Sequence, residues 1–416
     1  MNTINKKRIV PISAALFVLI LIIFILPGCL VRYISGNFNP EINPMEKSLK
    51  PETIRFIEDA FRDIQPDKMV DYHVHIVGMN TAETGCMVND RMKKWYHVKE
   101  NIRYKLFLSS FGAKNDENAD RVIAERLIKL IRSQKKHGKY VILALDKNYN
   151  KDGTVNLEKT EFHTPNEYVF SLYEKNPDIF IPAVSVHPYR KDAIQELEKW
   201  GRKGVRIVKW LPNAQGMNPS DPAIDPFYKK MIELNMVLLC HAGEESAVEA
   251  EDDQKLGNPL FIRRPLDLGL KVIVAHGASL GKNEDLDSPK REMRDNFDLF
   301  LRLMDEKKYE GLLFADISAQ LQFNRLSKPL EKILTRPDLH HRLMNGTDYP
   351  LPAMNIVIRT GKLESLGFIT KKEREYLNEI YKYNPLLFDF VLKRTVRHPK
   401  TGVKFPASLF MENRTL

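Results

Sequence analysis

Two histidines stand one residue apart at the end of an apolar run, in the stretch Met69–His75, which reads MVDYHVH. Side chains alternate between the two faces of a β-strand, so residues two positions apart leave the same face. His73 and His75 therefore point in one direction if this stretch is a strand. Neutral imidazoles are common metal ligands, and such a pair could bind one ion. A single histidine in this position is more often a buried core residue. Whether the pair binds a metal ion therefore depends on the elements around it.

Eight short apolar runs, each closed by polar or turn residues, cover residues 69–78, 140–148, 179–189, 205–212, 236–245, 271–279, 312–319 and 341–350. Continuous apolar runs of this kind indicate parallel strands buried on both faces. Amphipathic helical patterns fill the gaps, at Asn118–Gln134, Lys191–Trp200, Pro226–Asn235, Arg291–Glu306, Pro329–Thr335 and Lys371–Lys393. Eight strands alternating with helices predict an α/β fold, a (β/α)₈ TIM barrel. No GxGxxG follows a strand, so a dinucleotide-binding fold lacks its signature.

Polar residues stand where these predicted strands end, which is the end of a TIM barrel that carries its chemistry. In strand order they are His73 with His75, Asp146, His187, Lys209, His241, His276, Asp316 and Asp348. Converging imidazoles and a carboxylate predict a divalent-metal site whose nitrogen and oxygen ligands suit zinc, manganese or iron. Two members have other interpretations: Asp348 could cap a helix, and Lys209 could pair with a carboxylate.

The N-terminus has the pattern of an export signal or a membrane anchor. Lys6, Lys7 and Arg8 precede an uncharged apolar run, Ile9–Leu26, that is long enough to span a hydrocarbon core. The positive residues are expected on the cytoplasmic side, which makes the rest of the chain extracytoplasmic. Leu26-Pro27-Gly28-Cys29 also resembles a bacterial lipoprotein cleavage box, with Cys29 as the lipidated residue. An uncleaved single-span anchor and a lipoprotein are the two alternatives.

Composition and these patterns define the expected organisation. We expect an anchor or signal over residues 1–30, a linker and extension over 31–65, the barrel over 66–395 and a tail over 396–416. The chain carries 64 Lys and Arg against 54 Asp and Glu, a formal net charge of +10. No basic tract is interleaved with aromatic residues, so a nucleic-acid partner is not expected, whereas an anionic membrane surface fits. Three cysteines make no disulfide framework. Nothing in the sequence indicates an oligomeric state.

The residues also resemble a known family. Asp71-Tyr72-His73-Val74-His75, the histidines of strands five and six, and Asn345-Gly346-Thr347-Asp348 resemble the metal-dependent amidohydrolase superfamily. Their order and spacing are most similar to the branch of TIM-barrel metal-dependent hydrolases that includes aminocarboxymuconate semialdehyde decarboxylase. The resemblance covers residues 66–395 and includes Asn384–Phe388, which looks like the branch's closing Asn-x-x-x-Phe helix.

The resemblance implies one or two divalent ions, with Zn²⁺ as the expected metal. It implies that His73, His75, His241 and Asp348 bind the metal. His276 would be a ligand of a second metal or a catalytic group. Lys209 would be a carbamylated bridge between two metals or, in single-metal members, an unmodified lysine.

The implied reaction is hydrolysis of a small molecule with an amide, ester or lactone carbonyl. Bound Zn²⁺ lowers the pKa of its water to about 7, Asp348 would accept the water's proton, and His276 or the metal would stabilise the oxyanion. A decarboxylase or hydratase acting on an unsaturated or aromatic carboxylic acid is the alternative, and a non-catalytic surface binding protein is a further one.

Residues in the loops after the strands are candidates for substrate binding. His187 and Arg190 could grip a carboxylate, and Glu244 could face the substrate. Arg190 could equally begin a solvent-facing helix. The long segment between Gly78 and Asn118 is a candidate lid.

Overall fold

The structure of the protein is a computed structural model that describes residue 31 and residues 33–36, 49–113 and 117–413. Eight parallel strands form one sheet, in which they lie in the order of the chain. They are β1 (Val70–His75), β2 (Lys139–Leu143), β3 (Phe180–Val184), β4 (Ile207–Trp210), β5 (Val237–His241), β6 (Val272–Ala275), β7 (Leu313–Asp316) and β8 (Leu343–Met344). Each lies in one of the eight predicted runs, except that β2 begins one residue earlier.

The sheet closes on itself between β8 and β1. The Tyr72 N–H donates to the Asn345 carbonyl at 2.9 Å, and the His75 N–H donates to the Tyr349 carbonyl at 2.9 Å. Val74 forms a parallel bridge with Tyr349. The predicted eight-strand parallel α/β barrel is therefore confirmed.

Helices surround the barrel and connect its strands. The α-helices of the described residues are α1 (Pro51–Ala60), α2 (Asp90–Lys93), α3 (Val98–Ser110), α4 (Ala119–Arg132), α5 (Asn166–Lys175), α6 (Ala193–Arg202), α7 (Pro212–Gln215), α8 (Asp225–Glu233), α9 (Arg263–Asp267), α10 (Asn296–Asp305), α11 (Lys328–Leu334), α12 (Thr360–Ser365), α13 (Lys371–Tyr381) and α14 (Pro385–Thr395). Two antiparallel ribbons lie in the loops and join Met87–Val88 to Phe162–His163 and Lys282–Glu284 to Met293–Asp295.

Apolar side chains from alternate strand positions fill the barrel interior. This layer consists of Val70, Tyr72, Val141, Leu143, Ala183, Ile207, Val237, Leu239, Ile273, Ala275, Phe314 and Met344. Lys209, His241 and Asp316 follow Ile207, Leu239 and Phe314 by two residues, so they point into the barrel one layer nearer its C-terminal end. The floor of the site is thus an apolar layer and its walls are polar strand ends.

A bulge in β1 turns its histidines inward. The pairing of β1 with β2 changes register between Asp71 and Val74. Val70 and Tyr72 belong to the interior layer, whereas Val74 packs in the outer layer. A regular strand would put Val74 on the same face as Val70 and Tyr72. The extra residue therefore reverses the alternation and places His73 and His75 inside the barrel.

The segments flanking residues 66–395 pack against the barrel. α1, in the predicted linker and extension, buries Ile57 completely. In the predicted tail, Phe405 and Phe410 are buried, and Met411 forms a bridge with Met69. The apolar residues at 405, 409 and 410 join the main core, so residues 396–413 are a structured part of the barrel domain.

Two of the predicted helices are wrong in extent. The single helix predicted over Lys371–Lys393 is two helices, α13 and α14. Pro385 begins α14, where its missing N–H costs no hydrogen bond, and the Asn384 side chain accepts from the next two free N–H groups. The helix predicted from Arg291 begins at Asn296, because Met293–Asp295 pairs in a ribbon instead.

Among the described residues, no helix is both long and apolar enough to cross a membrane. The apolar run Ile9–Leu26 and Cys29 lie outside the described residues. The anchor, the lipidation of Cys29 and the extracytoplasmic location therefore stay predictions.

Candidate metal centre

Three side chains bring ligand atoms together where β1 and β8 meet. The Nε2 atoms of His73 and His75 lie 3.2 Å apart. The Asp348 Oδ1 atom lies 3.2 Å from His75 Nε2 and 3.6 Å from His73 Nε2. His73 and Asp348 are buried, and His75 is partly exposed to the pocket above. The closure of the barrel thus joins residues that are more than 270 positions apart in the chain.

Two further histidines lie beside this group. His276 Nε2 is 3.9 Å from Asp348 Oδ2, and the His276 ring centroid is 4.9 Å from that of His73. The His241 ring centroid is 5.3 Å from that of His276. His241 Nδ1 lies 3.5 Å from Glu245 Oε2, while its buried Nε2 atom has no hydrogen-bond partner within the described part of the chain. The structure therefore brings all four predicted histidines to one place.

Asp316 orients two of these rings. Its Oδ2 atom lies 2.9 Å from His73 Nδ1, and Ser318 donates its hydroxyl proton to the Oδ1 atom. The Ser318 oxygen in turn lies 2.7 Å from His276 Nδ1. A carboxylate can only accept hydrogen bonds, and the Ser318 hydroxyl donates its one proton to Asp316. The rings of His73 and His276 must therefore both donate from Nδ1. His73 and His276 therefore keep their lone pairs on Nε2, the atoms nearest Asp348.

Lys209 completes the group from β4. Its Nζ atom lies 3.2 Å from His73 Nε2, and the side chain is buried. Burial lowers the pKa of Lys209, although Asp316 and Asp348 act in the opposite direction. A buried lysine that loses its charge readily is a nucleophilic amine. It suits either predicted state, the carbamate bridge or the unmodified lysine.

Burial favours the neutral form of three imidazoles, and neighbouring nitrogen groups keep Asp348 ionised. Removal from water lowers the pKa of His73 and His276 well below the usual value, and that of His241 to about 4. Burial alone would raise the pKa of Asp348, but the hydrogen bond from His75 and the attraction of the neighbouring nitrogen groups, Lys209 among them, lower it. The site thus places one carboxylate beside three neutral imidazoles, those of His73, His241 and His276.

These residues fit a divalent cation. His73, His75 and Asp348 each offer one ligand atom, and the three atoms lie within 4.8 Å of one another. The Nε2 lone pairs of His73 and His276 face the Asp348 carboxylate with no proton between them, an arrangement that a cation stabilises. Asp316 also lies within reach of His73 and His276, but its oxygens already accept hydrogen bonds from His73, His276 and Ser318. It therefore supports the ligands from behind, as carboxylates commonly do for metal-binding histidines.

Backbone contacts hold Asp348 in place. Its φ angle is +59°, and its N–H donates to the His73 carbonyl at 2.7 Å. The buried Asp71 carboxylate accepts from the N–H groups of His73 at 3.0 Å and Thr347 at 2.9 Å. Asp71 therefore connects the bulge to the Asp348 loop. The short helix that follows, Leu351–Ala353, has Pro350 at its N-cap, so Asp348 is not a helix cap.

A largely apolar pocket of about 220 Å³ opens above the ligands. Its walls include Val77, Phe107, Phe111, Phe162, Leu211 and Phe323. Among its few polar groups outside the ligand set are Glu245 and Arg325. Arg325 is buried and donates to Ser279 Oγ at 3.0 Å, its Nε atom has no partner, and no carboxylate of the described residues pairs with it.

Three predicted substrate-binding residues lie outside the wall of this pocket. His187 is buried, and its Nε2 donates to the Gln215 carbonyl at 2.9 Å. Arg190 pairs with Asp146 at 3.0 Å and with Asp192 at 2.7 Å. Glu244 is exposed. His187, Arg190 and Asp146 thus connect loops to one another, and the neighbouring Glu245 faces the pocket in place of Glu244.

Several residues of the site were not predicted from the sequence. Asp316 was recognised as a strand end but given no role, and Ser318 follows it by two positions, as His75 follows His73. That repeated spacing after an apolar run was the available signal. Arg325 stands in an irregular loop with no periodicity, so nothing in the sequence set it apart.

Comparison with known proteins places the chain in a family. The family model described as "Amidohydrolase" matches residues 70–386. No curated protein matches the chain. Similar solved structures include an uncharacterized TIM-barrel protein from Bordetella bronchiseptica, with 17% identity, coverage of 79% of this chain and 99% of that chain, and a TM-score of 0.47.

Two further structures carry enzyme names. A 5-carboxyvanillate decarboxylase from Novosphingobium aromaticivorans, with bound manganese, has 11% identity, covers 78% of this chain and 94% of its own, and has a TM-score of 0.45. A 4-oxalomesaconate hydratase from Rhodopseudomonas palustris has 16% identity, covers 78% of this chain and 98% of its own, and has a TM-score of 0.39. The family model spans most of the barrel, including the predicted ligands from β1, β5, β6 and the β8 loop. The chain therefore belongs to the amidohydrolase family and is an enzyme of that metal-dependent superfamily.

Proposed function

We propose that the enzyme hydrolyses a small molecule through its amide, ester or lactone carbonyl. The observation that carries this proposal is Asp348, an ionised carboxylate that lies beside three Nε2 atoms and lines an otherwise apolar pocket. Membership of an enzyme family sets aside the alternative of a non-catalytic barrel.

His73, His75, His241 and Asp348 would hold the metal, with His276 and Lys209 available to a second ion. When bound, a divalent metal supplies Lewis acidity and lowers the pKa of water, so that a nucleophile is available at neutral pH. Neutral nitrogen ligands suit Zn²⁺ and Mn²⁺ alike. We keep Zn²⁺ as the expected ion.

Asp348 moves the proton. A carboxylate whose pKa is lowered to about 2 is ionised at neutral pH and accepts a proton from the attacking water. It would then pass the proton to the leaving nitrogen or oxygen.

The tautomer of His276 bears on its role. Its Nδ1 proton is directed to Ser318, so the neutral ring presents a lone pair from Nε2. A lone pair can bind a metal or accept a proton, but it cannot donate to an oxyanion. The geometry therefore favours the ligand role over oxyanion stabilisation.

Arg325 gives the pocket a preference for anions. A buried guanidinium without a carboxylate partner in the described residues is costly unless a ligand supplies the charge. Arginine binds carboxylates through paired, planar hydrogen bonds. We infer that the substrate carries an anionic group at the end that Arg325 contacts and an apolar remainder along the phenylalanine wall.

The same arginine favours a second candidate, decarboxylation or hydration of an unsaturated or aromatic carboxylic acid. In that reaction Asp348 would take a proton from water and pass it to carbon, and Arg325 would hold a carboxylate of the substrate. The two candidates share every residue and differ in the bond that breaks.

Product analysis tests the proposal. The metal-reconstituted full chain is incubated with anionic esters, lactones and amides, and in parallel with aromatic and unsaturated carboxylic acids. We expect acid release from the first set, lost in Asp348→Asn and retained in Asp67→Asn, an exposed control at the opposite end of the barrel. Release of CO₂, or hydration, with no carbonyl hydrolysis would overturn hydrolysis in favour of the second candidate.

A further inference from the structure

The exposed large apolar side chains of the described residues are confined to one end of the barrel. They lie in the loops that follow β1, β2, β6 and β7 and in the segment 31–36; Trp95, Tyr96 and Val98 form a continuous run among them. Trp95 is 73% exposed and Tyr96 57% exposed. This is the end that carries the metal ligands and the pocket mouth.

The opposite end has a different surface. Its loops present charged side chains such as Lys135, Lys136 and Lys203. Within the described ranges, none of the large apolar side chains classed as exposed lies there. One end of the barrel thus exposes large apolar side chains and the other exposes charged ones, as expected of a protein that rests on an apolar partner.

The chain that follows the apolar N-terminal run is fixed to the same end. The Asn355 N–H donates to the Ile34 carbonyl at 2.6 Å, and the Ser35 and Ser109 hydroxyl groups lie 2.6 Å apart. Asn355 belongs to the loop after β8, and Ser109 belongs to α3 in the loop after β1. The described residues that follow the apolar run are therefore held beside the catalytic end.

The stretch of chain between the apolar run and Val31 is short. Val31 stands five positions after Leu26, the last residue of the apolar run. A fully extended chain spans at most about 3.6 Å per residue, which is about 18 Å for this connection. If Ile9–Leu26 lies in a bilayer, the end of the barrel beside Val31 is held within that distance of it.

The exposed run also has the chemistry of a membrane interface. Tryptophan and tyrosine are enriched at the level of the lipid headgroups, where the ring is apolar and its polar atom meets water. Lys93 and Lys94 precede Trp95 and are exposed, and Lys94 Nζ lies 6.0 Å from the centre of the Tyr96 ring. Exposed lysines beside aromatic residues are attracted to anionic headgroups.

We propose that the catalytic end of the barrel rests on the bilayer surface, with Trp95, Tyr96 and Val98 at the membrane–water interface. α3 begins at Val98 and carries Phe107 into the pocket wall, so one helix connects this contact to the pocket over about 14 Å. The contact does not depend on which reaction the site performs. For the proposed hydrolysis, it gives amphiphilic substrates a direct route from the bilayer.

Tryptophan fluorescence tests the orientation without any substrate. The chain has three tryptophans, and Trp200 and Trp210 are fully buried, so Trp95 is the residue that lipids can reach. The full chain is reconstituted into vesicles of phosphatidylcholine and phosphatidylglycerol. In half of the samples, the phosphatidylcholine is brominated near the headgroup end of its acyl chains, so that it quenches tryptophans at the interface.

We expect bromolipid to reduce the emission of the unmodified chain and to leave Trp95→Phe unquenched. A matched control moves the probe to the opposite end, as the double variant Trp95→Phe, Lys135→Trp, which we also expect to be unquenched. No quenching of the unmodified chain overturns the proposal. Equal quenching of the double variant does so as well, because it would mean that the barrel has no fixed orientation.

Discussion

At the residue scale, the centre depends on one carboxylate that is not itself a ligand in our assignment. Asp316 accepts from His73 Nδ1 directly and is linked to His276 Nδ1 through the Ser318 hydroxyl. It thereby sets the tautomers of two rings on different strands. Because both Nε2 lone pairs are directed toward Asp348, Asp316 prepares the site for a cation before any cation binds.

This arrangement predicts a graded effect on metal affinity. Ser318→Ala removes the hydroxyl that accepts from His276 but leaves the His73 contact, whereas Asp316→Asn perturbs both rings. Loss of such supporting contacts typically weakens metal binding by about 10–100-fold. We expect Ser318→Ala near the lower figure and Asp316→Asn near or above the upper one, measured by competition with a fluorescent chelator.

The control for this series is Ser171→Ala, which removes an intrahelical hydroxyl contact with the Tyr168 carbonyl away from the site. It should leave metal affinity unchanged. Equal affinities for all three variants and the unmodified chain would contradict the role of Asp316.

Arg325 predicts how the enzyme discriminates among substrates. A hydrogen bond to a charged group contributes about 1.5–3 kcal/mol, which corresponds to a change of about 10–150-fold. We expect Arg325→Met to raise KM by that order for anionic substrates and to change KM little for their neutral methyl esters. Arg325→Lys should recover part of the loss, because the charge returns without the planar pair of donors.

Steady-state kinetics on the two substrate series measures this difference. Arg91→Met, a partly exposed arginine in α2, is the matched control. An identical rise of KM for charged and neutral substrates would mean that Arg325 acts on the pocket shape and not on substrate charge.

At the element scale, the pattern of apolar runs was sufficient for the barrel. All eight strands were predicted because a buried parallel strand needs a continuous apolar run, and that requirement is local. The break at Asn384 has a local cause, the proline that follows it, whereas the bulge in β1 and the ribbon at Lys282–Glu284 depend on partners elsewhere in the chain. They were therefore not predictable from periodicity.

The same distinction applies to the site. His73, His75, His241, His276, Lys209 and Asp348 stand at strand ends, so the barrel geometry alone brings them together. His187 and Arg190 also follow a strand, but Asp146 and Gln215 engage them before they reach the pocket. Arg325 reaches the pocket from a loop whose path only the tertiary structure defines.

The ribbon after β6 contains a buried acid that predicts a dependence of stability on pH. Asp285 is buried, pairs with both terminal nitrogens of Arg302 at 2.7 Å and lies 2.8 Å from Arg294 Nε. These contacts, led by the hydrogen bonds from Arg302, lower the pKa of Asp285. A lowered pKa in the folded state stabilises the protein above the unfolded carboxyl pKa of about 3.9, and the stabilisation is lost as the pH falls further.

We therefore expect Asp285→Asn to lower the free energy of unfolding by about 1–3 kcal/mol at pH 7. The difference from the unmodified chain should shrink progressively as the pH falls below about 4, because the carboxyl group of the unfolded chain then binds a proton that folding must release. Urea unfolding across the pH range measures it. Asp59→Asn removes an exposed contact with Arg62, which follows α1, and should change stability by less than about 1 kcal/mol. A difference that does not vary with pH would contradict the charge-based explanation.

At the scale of the whole molecule, the terminal segments pack against one closed sheet, and the proposed metal ligands stand on the same sheet. Residues 405–411 pack at the N-terminal end of the barrel, where Met411 meets Met69, while the segment 31–36 is fixed at the catalytic end. The ligands come from β1, β5 and the β8 loop, so an ion bound by all three connects strands across the barrel closure. Metal binding and global stability are therefore coupled.

Removal of the metal should lower the thermal stability of the whole barrel. A ligand present at a hundredfold excess over its Kd, and binding only the folded state, stabilises by about 2.7 kcal/mol. For a chain of this size, we expect a shift in Tm of roughly 3 °C between the chelated and the Zn²⁺- or Mn²⁺-reconstituted protein. Differential scanning calorimetry measures the shift, and His73→Ala should abolish it while remaining folded. His398→Ala, a histidine of the C-terminal segment whose ring contacts Thr401, is the matched control and should keep the full shift. A shift of equal size in His73→Ala would mean that the stabilising ion binds elsewhere, since a site built on β1 cannot survive the loss of the ring that Asp316 orients.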